Sequence, residues 1–148
     1  MLYKRILIIT ILVSLYTNYL SAETKTIAPD DLNGNWHLRI MDNMEVRNAR
    51  AILDFDMNKM ILSGFDGCNR ISGTLKVTND TYMTSQLVST RMACREPIHS
   101  YTSKRLHETI KEGFTVSEAS RNGVDGITIK SSTHELFFKK MGDDKKWF

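Results

Sequence analysis

Hydrophobic and polar residues alternate with a period of two along much of the chain. In the first clear stretch, Trp36, Leu38 and Ile40 alternate with polar residues. This period places every second side chain on one face, as expected for a strand with one buried face. Alternation and the content of β-branched and aromatic residues predict further strands. They cover residues 51–55, 60–65, 74–78, 82–88, 114–119, 127–130 and 135–140.

One segment departs from this alternation and predicts a helix. Pro97 fits its first turn and Gly113 its end. The residues at helical spacing on its apolar side are Ile98, Tyr101, Leu106 and Ile110. Short strands in sequence, joined by tight turns, predict an α+β fold. We expect a curved, partly closed antiparallel β-sheet of about seven or eight strands with one main α-helix packed on it.

The N-terminus has the order of a secretory signal peptide. Lys4 and Arg5 precede the apolar run Ile6–Leu15, and Ser21 and Ala22 supply small residues for cleavage. We therefore expect residues 1–22 to be removed and the product to be periplasmic or secreted.

Two alternatives concern this N-terminus. Cleavage could follow Ala28, or the segment could stay as an anchor in the inner membrane. The apolar run up to Leu20 is about fifteen residues, shorter than the ~20 that span a bilayer. No cysteine lies near either cleavage position, so a bacterial lipid anchor is not expected. The sequence predicts a monomer with no stable membrane span after cleavage.

Charge argues against a nucleic-acid partner. The chain has 20 Lys and Arg against 17 Asp and Glu, a formal charge of +3. Loss of Lys4 and Arg5 with the signal removes two positive charges and leaves about +1. Phosphate binding needs a basic face, and long runs of Lys or Arg are absent from the sequence.

The most specific motifs contain the only two cysteines. Cys68 lies in Gly67–Gly73, and Cys94 ends the run Ser89–Cys94. In an exported chain this pair favours one disulfide. Reduced structural thiols, a nucleophilic cysteine and a metal site are the alternatives. A metal site has weak support because the histidines are scattered and no C-x-x-C pair exists. The histidines are His37, His99, His107 and His134.

Both cysteine motifs, with Met60–Gly64 before them, closely resemble the META domain family, and within it the bacterial HslJ-type heat-shock proteins. The resemblance implies an antiparallel α+β fold, an envelope location, links to heat stress and novobiocin tolerance, and similarity in fold to the lipoprotein pilots of secretion systems. It implies no established catalytic residues, and we expect neither an enzyme nor a cofactor. The predicted parts are a signal peptide (1–22), a flexible segment (23–31), a META domain (32–141) and a tail (142–148).

Three residues beside the cysteines are candidates for an interaction surface. A disulfide would bring Arg70 and Arg91 together, and two guanidinium groups can clamp a carboxylate or phosphate. Alternatively, they bond to backbone carbonyls or pair with Asp66 and Glu96. Asn69 could contact a ligand or satisfy backbone groups in a turn.

Two further patterns have structural interpretations. Asp54 and Asp56 share one face of a strand, where acids are usually solubilising rather than catalytic. Six methionines are expected to fill the core. They are Met44, Met57, Met60, Met83, Met92 and Met141.

Three classes of function follow from these observations. We favour a non-catalytic envelope stress protein acting through protein or surface contacts. The second class is a small-ligand carrier that uses the curved sheet as a cup, with a secretion-pilot-like chaperone as a further alternative. The third class is an enzyme. The expected partner is an unidentified envelope protein or a small ligand. An exposed apolar or arginine-lined patch would favour the first class, and a deep pocket the second.

Overall fold

The fold is described from a computed structural model, which covers residues 25–78 and 81–142. The predicted signal peptide, residues 79–80 and the terminal residues 143–148 lie outside the described residues. Within the described part, no helix has the length and apolar character needed to cross a membrane.

A short helix precedes the first strand, and one long helix interrupts the series of strands. In chain order the elements are α1 (Pro29–Leu32), β1 (Gly34–Met41), β2 (Met44–Glu45), a 3₁₀-helix (Arg47–Ala49), β3 (Ile52–Asp56), β4 (Ile61–Phe65), β5 (Arg70–Thr78), β6 (Tyr82–Ser85), β7 (Val88–Ser89), α2 (Pro97–Glu112), β8 (Phe114–Arg121), β9 (Val124–Lys130) and β10 (Glu135–Lys140).

All ten strands join one antiparallel sheet that curves toward a ring. The pairing order is β10-β9-β8-β6-β5-β4-β3-β1-β2, with β7 beside β5, and β1 also pairs with β10. Closure is partial because β6 and β8 share only Tyr82↔Thr115 and Met83↔Phe114. The predicted α+β architecture with a curved, partly closed sheet and one main helix is confirmed.

The core lies between the inward residues of the strands and one side of α2. Leu106 and Ile110 of the helix are fully buried in the same cluster as Leu38, Phe55 and Phe138 of the sheet. Burial of each such side chain contributes about 1.5–3 kcal/mol. The predicted apolar side of the helix is therefore the side that packs, with Ile98 and Tyr101 at its half-buried margin.

The strand predicted from residue 74 is longer than expected, because β5 begins at Arg70. Gly73 belongs to this strand and not to a turn. A Cβ at this position would collide with Ser85 Oγ and lie 2.6 Å from the Gln86 carbonyl oxygen. Glycine is required there by close packing of neighbouring strands.

The predicted strand 82–88 is divided into β6 and β7. Both keep one register against β5, with Ser85 opposite Leu75 and Val88 opposite Ser72. Residues 86–87 thus interrupt a single ladder.

The structure also describes part of the N-terminal segment and the positions of the methionines. Part of the segment 23–31 carries secondary structure, namely a bridge between Thr26 and Ser117 and the start of α1. The methionines do not all fill the core, and the prediction is wrong for three that are exposed. These are Met44, Met92 and Met141.

Candidate functional site: the cysteine corner

A disulfide joins Cys68 to Cys94, with a Cα–Cα distance of 4.8 Å. It ties the connection between β4 and β5 to the segment that precedes α2. The predicted pairing is confirmed, and neither sulfur is available as a free thiolate. We call this region, residues 66–70 with residues 88–97, the cysteine corner.

The buried carboxylate of Asp66 organises this corner. Its Oδ1 accepts hydrogen bonds from the backbone N–H groups of Cys68 and Asn69, both at 2.7 Å. Its Oδ2 accepts from Ser103 Oγ at 2.9 Å and contacts His107 Nε2 at 2.8 Å. One side chain therefore closes the cysteine turn and fixes it to helix α2.

The ionisation of Asp66 depends on these donors. Burial by itself raises the pKa of the carboxyl group, but hydrogen bonds from His107, the backbone of Asn69 and Cys68, and Ser103 outweigh burial. The net result is a pKa below the ordinary value. Because an ionised carboxylate only accepts, His107 donates its Nε2–H.

The expected pairing of Arg70 with Asp66 is wrong, because Asp66 is fully buried and bonded elsewhere while Arg70 is exposed. Sequence reasoning missed the organising role of Asp66. The available signal was the Asp-Gly pair at 66–67, which is typical of a turn closed by the Asp side chain. Gly67 has φ +104°, a conformation that favours glycine.

Asn69 fixes the second cysteine segment to the first. Its Oδ1 accepts from Met92 N at 2.6 Å and from Thr90 Oγ1 at 3.1 Å. Thr90 Oγ1 also accepts from Arg70 N, and Thr90 N donates to the Arg70 carbonyl, each at 3.1 Å. These contacts give Asn69 a positioning role in the corner.

The segment 88–97 is exposed over its whole length, although the disulfide and the hydrogen bonds of Asn69 and Thr90 fix its position. Val88 and Met92 expose 72% and 63% of their surface. Arg70 and Arg91 flank the same bonds, and within the described residues neither side chain forms an ion pair. The expected Arg91–Glu96 pair is therefore not formed. We call residues 88–97, together with Arg70, the contact strip.

A second polar cluster uses the other side of α2. His134 Nδ1 lies 2.7 Å from Asp42 Oδ2, and its Nε2 lies 3.3 Å from Glu108 Oε2. Asp42 Oδ1 also accepts from the backbone of Glu135 at 3.0 Å. This cluster connects two turns of the sheet to the helix.

Asp54 and Asp56 do not form a paired site. Asp56 instead bonds to Lys59 at 2.9 Å within the β3–β4 turn. The hydrogen bond from the Lys59 side chain is the main cause that lowers the pKa of Asp56, and the backbone N–H of Lys59 lowers it further.

An antiparallel sheet of ten strands, one packed helix and a disulfide-braced corner define the class as a small α+β domain with a ring-like sheet. The META domain family matches residues 30–142, and the chain belongs to this family. The match begins two residues before the predicted domain and ends one residue after it.

Two solved structures have the same fold. An NMR structure of a protein from Burkholderia xenovorans has a TM-score of 0.62 at 20% identity, covering 82% of this chain and 93% of that one. A second NMR structure has a TM-score of 0.62 at 25% identity, covering 78% of this chain and 96% of its own. No curated protein matches the sequence significantly.

Proposed function

We propose that this protein is an exported, non-catalytic META-domain protein of the bacterial envelope that binds another protein through the contact strip. The observation that carries the proposal is a segment that is both exposed and fixed. Disulfide Cys68–Cys94 and the bonds of Asn69 and Thr90 hold it in one conformation. A surface fixed before binding loses less conformational entropy when a partner arrives.

The chemistry of the strip suits a protein partner. Val88 and Met92 supply apolar area, while Arg70, Arg91 and Arg95 supply planar cations at its border. Arginine and methionine are enriched at protein interfaces. The complementary surface would combine an apolar centre with carboxylates.

The disulfide supports a periplasmic or secreted location, because such bonds persist in oxidising compartments. An N-terminal anchor in the inner membrane is the alternative location. The family resemblance extends the proposal to the heat response and to novobiocin tolerance, as processes that the partner would serve.

The alternatives are a carrier or a secretion-pilot-like chaperone. The carrier mode needs a hollow inner face, but core side chains from both sheet and helix pack there. That packing leaves little room for a ligand inside the curved sheet.

The test is photo-crosslinking in cells, with and without heat stress. A photoreactive amino acid replaces Met92 in the strip or, as a control, Val77, which is 39% exposed on β5. We expect one protein to be captured from position 92 and not from position 77. The same protein, once purified, should bind the wild-type chain.

The double variant Arg70→Ala, Arg91→Ala should fold normally and lose this capture, whereas Lys76→Ala, Lys130→Ala should retain it. Equal capture from both positions would contradict binding through the contact strip. An empty capture by a folded protein would contradict the proposal and favour a small-molecule carrier. Unfolding of the arginine variant without a separable binding defect would show that the arginines are structural.

A further inference from the structure

A second surface feature lies on the outer face of the sheet, where β1, β8 and β10 meet the β1–β2 turn. It is a cavity of about 560 Å³. Four cationic side chains line it, namely Arg39, Arg47, Arg121 and Lys139. It shares no lining residue with the contact strip, so it is independent of the proposed function.

The floor of this cavity is a phenylalanine on the unexpected face of its strand. Leu136 and Phe138 point into the core cluster, and Phe137 between them lies on the opposite face. Phe137 is nevertheless only 2% exposed. A Cβ at Gly126 would approach the tip of its ring to 3.0 Å, so the glycine makes room for it. Ile40 and Val124 complete an apolar lining.

A bulge gives Arg39 its position beside this floor. Leu38 pairs with Phe138, but the next pair is Ile40 with Phe137, so the register shifts at Arg39. Bulges commonly redirect side chains at functional sites.

Arg39 is the cation of this cavity with an unsatisfied donor. Its Nε is buried and has no hydrogen-bond partner. Arg121 pairs with Glu135, and Arg47 lies 3.3 Å from Glu45. In the described part of the chain no carboxylate pairs with Arg39. Buried donors are rarely left unpaired in folded proteins, so the described residues leave the hydrogen-bonding capacity of this guanidinium incompletely used.

The neighbouring His37 responds to the same positive charge. Burial lowers the pKa of its imidazole, and the charge of Arg39 lowers it further. Arg47 acts from the 3₁₀-helix, where its backbone carbonyl raises this pKa and its charge lowers it. His37 Nε2 is also buried without a partner. The outer face of β1 therefore carries two polar groups that the fold leaves unsatisfied.

We propose that this cavity binds a small organic anion, with its carboxylate or phosphate on the guanidinium of Arg39 and its apolar body against Ile40 and Val124. A guanidinium presents a planar set of donors that matches either anion. The volume lies in the range of small-molecule sites, about 300–1,000 Å³. The half-buried apolar side chains of Ile40 and Val124 distinguish such a ligand from an inorganic ion, which would not cover them.

The test is a titration of the folded, ¹⁵N-labelled protein with phenyl phosphate, followed by NMR. Inorganic phosphate and benzyl alcohol are the comparison probes, since each has only half of the proposed chemistry. We expect the Arg39 Nε–H signal and the backbone signals of Ile40 and Val124 to shift together. Phenyl phosphate should bind at least tenfold more tightly than either comparison probe.

Two matched variants test the role of the charge. Arg39→Gln should weaken phenyl phosphate binding at least tenfold, and Lys76→Gln on exposed β5 should leave it unchanged. Shifts absent from the cavity, equal binding of benzyl alcohol, or unchanged affinity in Arg39→Gln would overturn the proposal. If Arg39→Gln does not fold, the wild-type titration alone decides, through the Arg39 Nε–H signal and the ranking of the three probes.

Discussion

The cysteine corner and the outer-face cavity handle buried polar groups in opposite ways. In the corner, Asp66 receives four hydrogen bonds from the turn and from α2. Among the described residues, the buried Arg39 Nε–H of the cavity donates no hydrogen bond, and His37 Nε2, outside the cavity on the same strand, is also without a partner. The corner therefore uses its polar groups to stabilise the fold, while the cavity leaves the guanidinium of Arg39 without a carboxylate partner from the described part of the fold.

This difference predicts opposite consequences for substitution. A hydrogen bond to a charged group contributes about 1.5–3 kcal/mol, and removing one partner leaves the others unsatisfied. An unpaired buried donor already lowers stability, so its removal should cost little. Substitutions in the corner should therefore lower the free energy of unfolding much more than substitutions in the cavity.

The largest effect is expected for Asp66→Ala. This change leaves the backbone N–H groups of Cys68 and Asn69 and the His107 side chain without their acceptor. We expect a loss of about 3–5 kcal/mol in the free energy of unfolding, measured by denaturant titration. Asp125→Ala, at an exposed carboxylate, should change it by less than about 0.5 kcal/mol. A loss at Asp66 no larger than this control would contradict an organising role.

Loss of the disulfide should have a similar or slightly smaller effect. The bond closes a loop with a sequence separation of 26, which corresponds to roughly 3–4 kcal/mol in the chain-entropy model. Cys68→Ser and Cys94→Ser should each lose this amount, and the double variant should lose little more, because one bond is removed in every case. Additive losses measured by thermal unfolding would count against a single shared bond.

How far the sequence predicts each region follows from the range of the interactions involved. Alternation at Trp36 and Leu38 and helical spacing at Leu106 and Ile110 are local signals, and they predict the sheet and the helix well. The alternation is wrong at Ile40, because the bulge shifts the next core position to Met41. Closure of the ring through β1 and β10 depends on partners about a hundred residues apart. The periodic spacing of hydrophobic residues along the chain does not identify such distant partners.

The two sites also differ in how far the sequence predicts them. The disulfide could be predicted because only two cysteines exist in the chain. Asp66 could not be connected to Ser103 and His107, since no local pattern relates a turn to a helix some forty positions later. The outer cavity depends on a bulge at Arg39 and on Phe137, whose burial on the outer face contradicts the simple alternation rule.

Acid should weaken the corner through Asp66. Its folded-state pKa lies below the ordinary 3.8. The folded state therefore releases this proton more readily than the unfolded chain. The resulting stability is fully present above the ordinary pKa and is lost as pH falls through the lowered folded-state pKa. In Asp66→Asn this contribution should disappear, so its stability should fall less steeply below pH 4 in denaturant titrations. Parallel curves for both proteins would show that Asp66 titrates alike when folded and unfolded.

The smallest effect is expected for Arg39→Met, and it tests the other half of the comparison. Methionine keeps an unbranched apolar side chain, but it removes the buried Nε that has no partner. The free energy of unfolding should therefore stay within about 1 kcal/mol of wild type, or rise, when measured by denaturant titration without added anions. Phenyl phosphate should raise the stability of the wild type and not that of Arg39→Met, because a ligand that binds only the folded state stabilises it. A loss of several kcal/mol would instead place Arg39 with Asp66, among the residues that hold the fold together.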